Sequence, residues 1–336
     1  MTDPSAHTHG SEPAPCIAVV GPTASGKSEL AVRLASRFRG EVVSFDSVQV
    51  FRHFDIGTAK IPERDRCGIP HHLLDHVEPD RLYSAGEFAR DAREVLERLR
   101  ARDRLPVLAG GTGLYLEALV KGLFRGPERD QTLRRRLQLR AERKPAGHLW
   151  RILARLDAGA AQAIHRNDTP KLIRAIEVSL LGGRPMTDQW RAGGNPLRSH
   201  RPLTLGLDPP RETLYGKIER RASRMFAEGL VEEVRSLLQR GVPRSARPFG
   251  ALGYAQCLRH LDGACSLDEA VESTARQTRR YAKRQMTWFR RRTPGVRWRQ
   301  GFGGTGAAAE WAEREFLAWL AADHGSAWLE TWHAAR

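Results

Sequence analysis

Gly21-Pro22-Thr23-Ala24-Ser25-Gly26-Lys27-Ser28 is the stretch on which the fold turns. It fits the pattern G-x-x-x-x-G-K-[ST] without a mismatch. Residues 16–20 before it form a short apolar run between Pro15 and Gly21, as expected of a buried parallel strand. Residues 27–38 after it place Leu30, Leu34 and Phe38 on one helical stripe. Strand, glycine-bearing turn and helix in that order make a phosphate loop. The glycines let the backbone curl so that several N–H groups point into one cavity at the positive end of a helix. Lys27 adds a full charge, and the Ser28 hydroxyl can ligand Mg²⁺. Such a loop grips two or more linked phosphates, but it names neither the compound nor the bond that breaks.

The same rhythm continues outward. Residues 41–45 read as a second strand ending at Asp46. Residues 83–102 read as a helix with Ser84 as N-cap and Glu87 three positions on, a capping box. Residues 105–109 read as a third strand, followed by Gly110-Gly111-Thr112 and a helix to about Lys121. The expected class is α/β, a P-loop NTPase-like parallel sheet with helices on both faces. Residues 128–198 show helix-like segments only, with 15 Lys/Arg against 7 Asp/Glu, a local net of +8. A strand-like 203–207 then returns, and two helices follow, ended by Gly241 and Pro243. The expected organisation is a core from 15–126 and 202–300, a helical insertion at 127–201, a disordered tail at 1–14 and a helical extension at 301–336. In that extension Ala312, Phe316, Trp319 and Leu320 share a face, which reads as a helix packed on the core. No other function is assigned to it.

Composition narrows the classes. A hydrophobic fraction of 40% over 336 residues supports a core. No apolar run approaches the roughly 18 residues of a membrane span, and the polar start has no apolar stretch of a signal peptide, so a cytoplasmic protein is expected. Lys plus Arg exceeds Asp plus Glu by 55 to 39, a net charge of +16, and only 7 of the basic residues are Lys. That balance points to a polyanionic partner. Cys16, Cys67, Cys257 and Cys265 are scattered, and His71, His72 and His76 lack companions at metal-ligand spacing.

Three further features carry chemistry. Asp46-Ser47 closes the second strand beside the phosphate loop, where an aspartate can hold Mg²⁺ through water, act as a general base, or cap a turn. Gly110-Gly111-Thr112 repeats the geometry after the third strand and offers the Thr112 hydroxyl toward a leaving phosphate. Basic clusters occur at Arg134-Arg135-Arg136 and over 276–300. The second holds 10 Lys/Arg and no acid, interleaved with Tyr281, Trp288, Phe289 and Trp298, a pattern suited to single-stranded or loop RNA.

Several motifs then coincide in order: the phosphate loop at 21–28, Asp-Ser-Val-Gln-Val-Phe at 46–51, Asp-Ile-Gly-Thr-Ala-Lys at 55–60, Pro-His-His-Leu-Leu-Asp at 70–75, Tyr-Ser-Ala-Gly-Glu-Phe at 83–88, Gly-Gly-Thr-Gly-Leu-Tyr at 110–115, Leu-Gly-Tyr at 252–254 and Lys-Arg-Gln-Met-Thr-Trp-Phe-Arg at 283–290. Together they resemble the bacterial tRNA dimethylallyltransferase family over about residues 16–300. The resemblance implies that Gly21, Pro22, Thr23, Ala24, Ser25, Gly26, Lys27 and Ser28 hold dimethylallyl diphosphate rather than ATP, with Mg²⁺ at Ser28. It implies Asp46 as the base, Thr112 at the leaving oxygen and Arg221 on the diphosphate. It further implies tRNA contacts from Asp46, Ser47, Val48 and Gln49, from Thr112 and Arg134, from Pro170, Lys171, Leu172, Ile173 and Arg174, and from Gly250, Ala251, Leu252, Gly253, Tyr254 and Ala255. The partner it implies is the anticodon stem-loop, whose target base would be pulled out of its stack, and the enzyme is expected to be a monomer. Phe51 stands where the family commonly has Tyr, and Gly250 and Ala255 where it has polar or basic residues. The alternatives are a P-loop kinase or NTPase, and a basic RNA-binding protein regulated through its P-loop.

Overall fold

Alternate residues of the first strand feed two different cores. In the computed structural model, which describes residues 12–124, 126–191 and 193–323, β1 spans Ala14–Val20 and is buried from Pro15 onward. Cys16, Ala18 and Val20 join one apolar cluster, while Ile17 and Val19 join another. A strand buried on both faces is what a parallel sheet between two helical layers requires. β2 (Gly40–Ser44), β3 (His71–His72), β4 (Leu105–Ala109), β5 (His200–Asp208) and β6 (Arg297–Gln300) complete a sheet of order β3-β2-β4-β1-β5-β6, all parallel.

On one face lie α1 (Lys27–Arg37) and the C-terminal α13 (Gly306–Asp323). Leu30 and Leu34 of α1 meet Phe316 and Leu320 of α13 in one cluster, and the rings of Phe38 and Phe316 sit edge to face at 5.0 Å. Each such buried Leu or Phe contributes about 1.5–3 kcal/mol over an exposed one. The other face is covered by α2 (Ala85–Arg100), α3 (Gly113–Val120), α10 (Leu230–Gln239), α11 (Tyr254–Leu261) and the ends of α9 (Arg211–Ala227) and α12 (Leu267–Arg292). The expected doubly wound architecture is borne out. Ser84 and Glu87 form the reciprocal capping box at the start of α2.

Residues 121–196 form a second compact unit. It holds α4 (Gln131–Arg143), α5 (His148–Leu156), α6 (Ala158–Ala163), α7 (Thr169–Leu181) and α8 (Met186–Arg191). Its own core gathers Leu137, Leu149, Leu153, Leu172, Ile173, Ile176 and Met186. The unit ends before residue 201 because β5 begins early: His200, Arg201 and Pro202 pair with Ala14, Pro15 and Cys16. Most of the 1–14 tail, and residues 324–336 of the C-terminal extension, lie outside the described residues.

Two strands escaped the hydrophobic pattern. β3 is only two residues, in register with Val42 and Val43, and His72 Nε2 lies 2.6 Å from the buried Glu41 carboxylate. β6 reads Arg-Trp-Arg-Gln and pairs with Leu205–Asp208. No helix among the described residues is long and apolar enough to cross a membrane.

Candidate functional site

β1 delivers the chain into the phosphate loop at Gly21, and α1 leaves it at Lys27. Gly26 has φ +87°, and a Cβ there would lie 2.7 Å from the Gly304 nitrogen, so glycine is required both by conformation and by space. Ala24 also takes a positive φ of 63°. Among the described residues, the backbone N–H groups of Ala24, Gly26, Lys27 and Ser28 donate to no protein acceptor. They are free to meet an anion at the helix N-terminus. The Lys27 ammonium rests on the Pro22 carbonyl at 2.7 Å. Burial lowers its pKa to about 8; Asp46 opposes the shift, Arg221 adds to it and Glu29 opposes it.

Asp46 follows β2. One carboxylate oxygen accepts from the Val48 N–H at 2.9 Å and the Gln49 N–H at 3.2 Å, so the residue caps its own turn. It lines the cavity over the loop as well, so the cap does not take its carboxylate out of that space. The Ser47 N–H donates to Thr112 Oγ1 at 3.0 Å, and the Thr112 hydroxyl donates to Ser47 Oγ at 3.2 Å, which joins the ends of β2 and β4. Gln49 donates to the Thr58 carbonyl at 3.0 Å and so steadies the 55–60 loop.

The cavity over the loop measures about 970 Å³. Seven cations line it, namely Lys27, Arg33, Lys60, Lys217, Arg220, Arg221 and Arg224, against the three carboxylates Glu29, Asp46 and Asp65. Lys217, Arg221 and Arg224 share a stripe of α9, and burial lowers the pKa of Arg221. A second cavity of about 310 Å³ adjoins it, sharing Thr23, Asp46, Thr58, Arg221 and Tyr281. Val48, Ile218, Ala222, Met225, Ala251 and Leu252 make that second wall largely apolar. Cations therefore meet hydrocarbon at Asp46, which suits a molecule with a charged head and a greasy tail.

Two contributors were not legible in the sequence. Gln285 of α12, inside a motif but assigned no part, accepts from the Thr23 N–H at 2.8 Å and donates to the Gly111 carbonyl at 3.0 Å. Phe302, Gly304 and Thr305, from the extension given no role, also line the cavity. The Gly303 N–H donates to the Ser25 carbonyl at 2.8 Å, and Lys217 Nζ sits 3.7 Å from the Phe302 ring centre.

The residues expected at tRNA divide. Ser47, Val48, Ala251, Leu252 and Ala255 are half-buried or more, and Gly250 is exposed. Gly253 caps the start of α11 at φ +92° and is buried. Tyr254 is wholly buried; its hydroxyl donates to Glu233 at 2.5 Å and accepts from the Gly57 N–H at 3.1 Å. Its part is to hold the 55–58 loop, so a direct RNA contact by that side chain is corrected. In the helical unit Pro170 and Lys171 are not buried, whereas Leu172 and Ile173 sit in the core. Arg134 and Arg174 both pair with the buried Glu177, at 3.0 and 2.7 Å. The stacking platform read over 276–300 is likewise corrected. Phe289 is in the core, and the partly buried Trp288 and Trp298 pack on Gly113 and Gly206, which leaves Tyr281 of the four to face the cavities, while Lys283, Arg284, Arg290 and Arg291 are exposed.

Among the described residues no group of three or more His, Cys, Asp or Glu could hold a metal. Ser28 and Asp46 offer a hydroxyl and a carboxylate to the cavity. That is the sparse oxygen set typical of Mg²⁺ sites completed by substrate phosphates and water.

A parallel sheet with an open-amide loop, a cation-lined cavity and a single carboxylate where that cavity turns apolar defines a P-loop protein built for a phosphorylated hydrocarbon. The chain belongs to the IPP transferase family, whose family model matches residues 49–292. It is 53% identical to a tRNA dimethylallyltransferase of Solibacter usitatus over 86% of this chain and 94% of the relative. It is 50% identical to one of Koribacter versatilis, again over 86% and 94%. The crystal structure of a tRNA isopentenylpyrophosphate transferase from Bacillus halodurans matches with a TM-score of 0.67 and 35% identity, covering 97% of this chain and 99% of that one.

Proposed function

We propose that this chain transfers a dimethylallyl group from dimethylallyl diphosphate to N6 of the adenosine 3′-adjacent to the anticodon, in tRNAs reading codons that begin with U, and works with tRNA in the cytoplasm. The observation that carries this is the junction at Asp46, where the cation-lined cavity opens into the apolar one. The diphosphate sits on the free amides of Ala24, Gly26, Lys27 and Ser28, with Arg221 alongside. The allyl group lies toward Val48, Ile218 and Met225. N6 attacks the allylic carbon as the carbon–oxygen bond breaks, and the bonding pair leaves with diphosphate. Asp46 accepts the N6 proton through the carboxylate oxygen its turn does not use. Thr112 is assigned the leaving oxygen, its hydroxyl turning from Ser47 Oγ to donate there. Ser28 and the diphosphate would hold Mg²⁺, which would supply further neutralisation of the leaving charge. The family supports this use of the loop over the kinase or NTPase reading.

The test combines protein, Mg²⁺, dimethylallyl diphosphate and bulk tRNA, then weighs the digested nucleosides. The expected result is an adenosine heavier by one five-carbon unit. Asp46→Asn should bind tRNA normally while transfer falls about 10²-fold, as for a lost general base. Near-normal transfer by that variant would remove Asp46 from the mechanism.

A further inference from the structure

Two positions of the phosphate loop, Pro22 and Thr23, are closed to anions by the protein itself. Pro22 has no N–H, and its carbonyl accepts from Lys27 and from the Ser25 N–H. The Thr23 N–H is taken by Gln285 Oε1 at 2.8 Å, whereas Ala24, Gly26, Lys27 and Ser28 keep theirs. The Gln285 amide cannot turn over, because Nε2 must face the Gly111 carbonyl 3.0 Å away while Oε1 faces an N–H. The side chain is buried at 5% exposure. A Cβ on Gly111 would lie 2.1 Å from Nε2, so the approach depends on that glycine.

Thr23 and Gln285 both line the cavity, so an anion reaching past Ala24 toward Thr23 meets an acceptor, Gln285 Oε1, in place of the Thr23 donor. Resting on the function proposed above, we infer that Gln285 is a specificity-determining residue that ends the cradle at Thr23 and makes it a seat for two phosphates rather than three. Exclusion by placed acceptors works through a penalty on the wrong ligand. It accounts for a glutamine carried in from α12, 262 residues along the chain from Thr23.

The experiment titrates the full-length protein with pyrophosphate and with tripolyphosphate by calorimetry, in the presence of Mg²⁺. Wild type should prefer pyrophosphate by about tenfold or more, a factor worth about 1.4 kcal/mol. Gln285→Ala should bring the two affinities within about twofold. A second readout needs no variant: on adding pyrophosphate to wild type, the amide NMR signals of Ala24, Gly26, Lys27 and Ser28 should move and that of Thr23 should not. An unchanged preference in Gln285→Ala, or a Thr23 signal that moves with the others, overturns the inference while leaving the proposed reaction standing. Failure of wild type to bind either pyrophosphate or dimethylallyl diphosphate would instead remove the reaction on which it rests.

Discussion

Lys27 is a loop residue whose charge state the fold controls. Burial holds its pKa near 8, with Asp46 pulling upward and Arg221 pushing down. Below that pH the ammonium is present to meet a diphosphate; above it the neutral amine offers no charge. A bound diphosphate restores the charged form, so binding takes up a proton at high pH. Calorimetry without tRNA should show affinity for dimethylallyl diphosphate falling above pH 8, by up to about tenfold for each further step of one in pH. In Lys27→Met that slope should vanish and affinity should be low throughout. A flat profile in wild type would mean that Lys27 is not the partner of the diphosphate. At this scale the loop, Asp46 and Thr112 were legible, since each sits at the C-terminal end of a strand that the pattern marks. Gln285 and Phe302 were not, because their partners are fixed by packing rather than by neighbouring sequence.

Elements meet around the site through glycine. Gly110 lies against the Phe45 backbone, Gly111 against Gln285 and Gly113 against the Trp288 ring, where a Cβ would approach to 2.5, 2.1 and 2.1 Å. α12 thus presses directly on the turn after β4. Gly113→Ala would force the indole and its helix away, at a cost of about 1–3 kcal/mol. Thermal melts should place this variant several degrees below wild type, whereas Gly250→Ala, with open space around it, should match wild type. Equal melting of the two would show that α12 yields freely. Strand and helix positions followed from period and caps, as with 105–109 and the Ser84 box. β3 and β6 did not, because a two-residue strand and an Arg-Trp-Arg-Gln strand carry no apolar alternation, and only the backbone of β2 and β5 recruits them.

Across the whole molecule, positive charge is spread unevenly. Residues 121–196 hold 16 Lys/Arg and 7 Asp/Glu, a net of +9. Arg135, Arg136 and Arg140 of α4 reach solvent, while Arg134 is tied to buried Glu177. These cations have different duties. Arg135→Ala with Arg136→Ala should weaken tRNA binding and flatten its dependence on log salt by about 0.7–0.9 for each phosphate that is no longer neutralised. Arg134→Ala should mainly lower stability, by about 1–3 kcal/mol, since it takes a hydrogen bond from a buried carboxylate. Filter binding across a salt series, with melts of each variant, separates the two. An unchanged salt slope in the double variant would take the α4 surface out of tRNA binding.

The amino-acid order alone determined the strand–loop–helix unit, the parallel sheet and the carboxylate beside the loop, because periodicity, glycine spacing and caps act within a few residues. It equally determined the excess of positive charge and its concentration in the helical unit. Only the tertiary structure decided which amides stay free, which arginines are bound to a buried glutamate and which aromatics face inward. Those outcomes depend on what lies across a packed boundary, and for Gln285, Phe302 and Tyr254 the partner comes from a distant part of the chain.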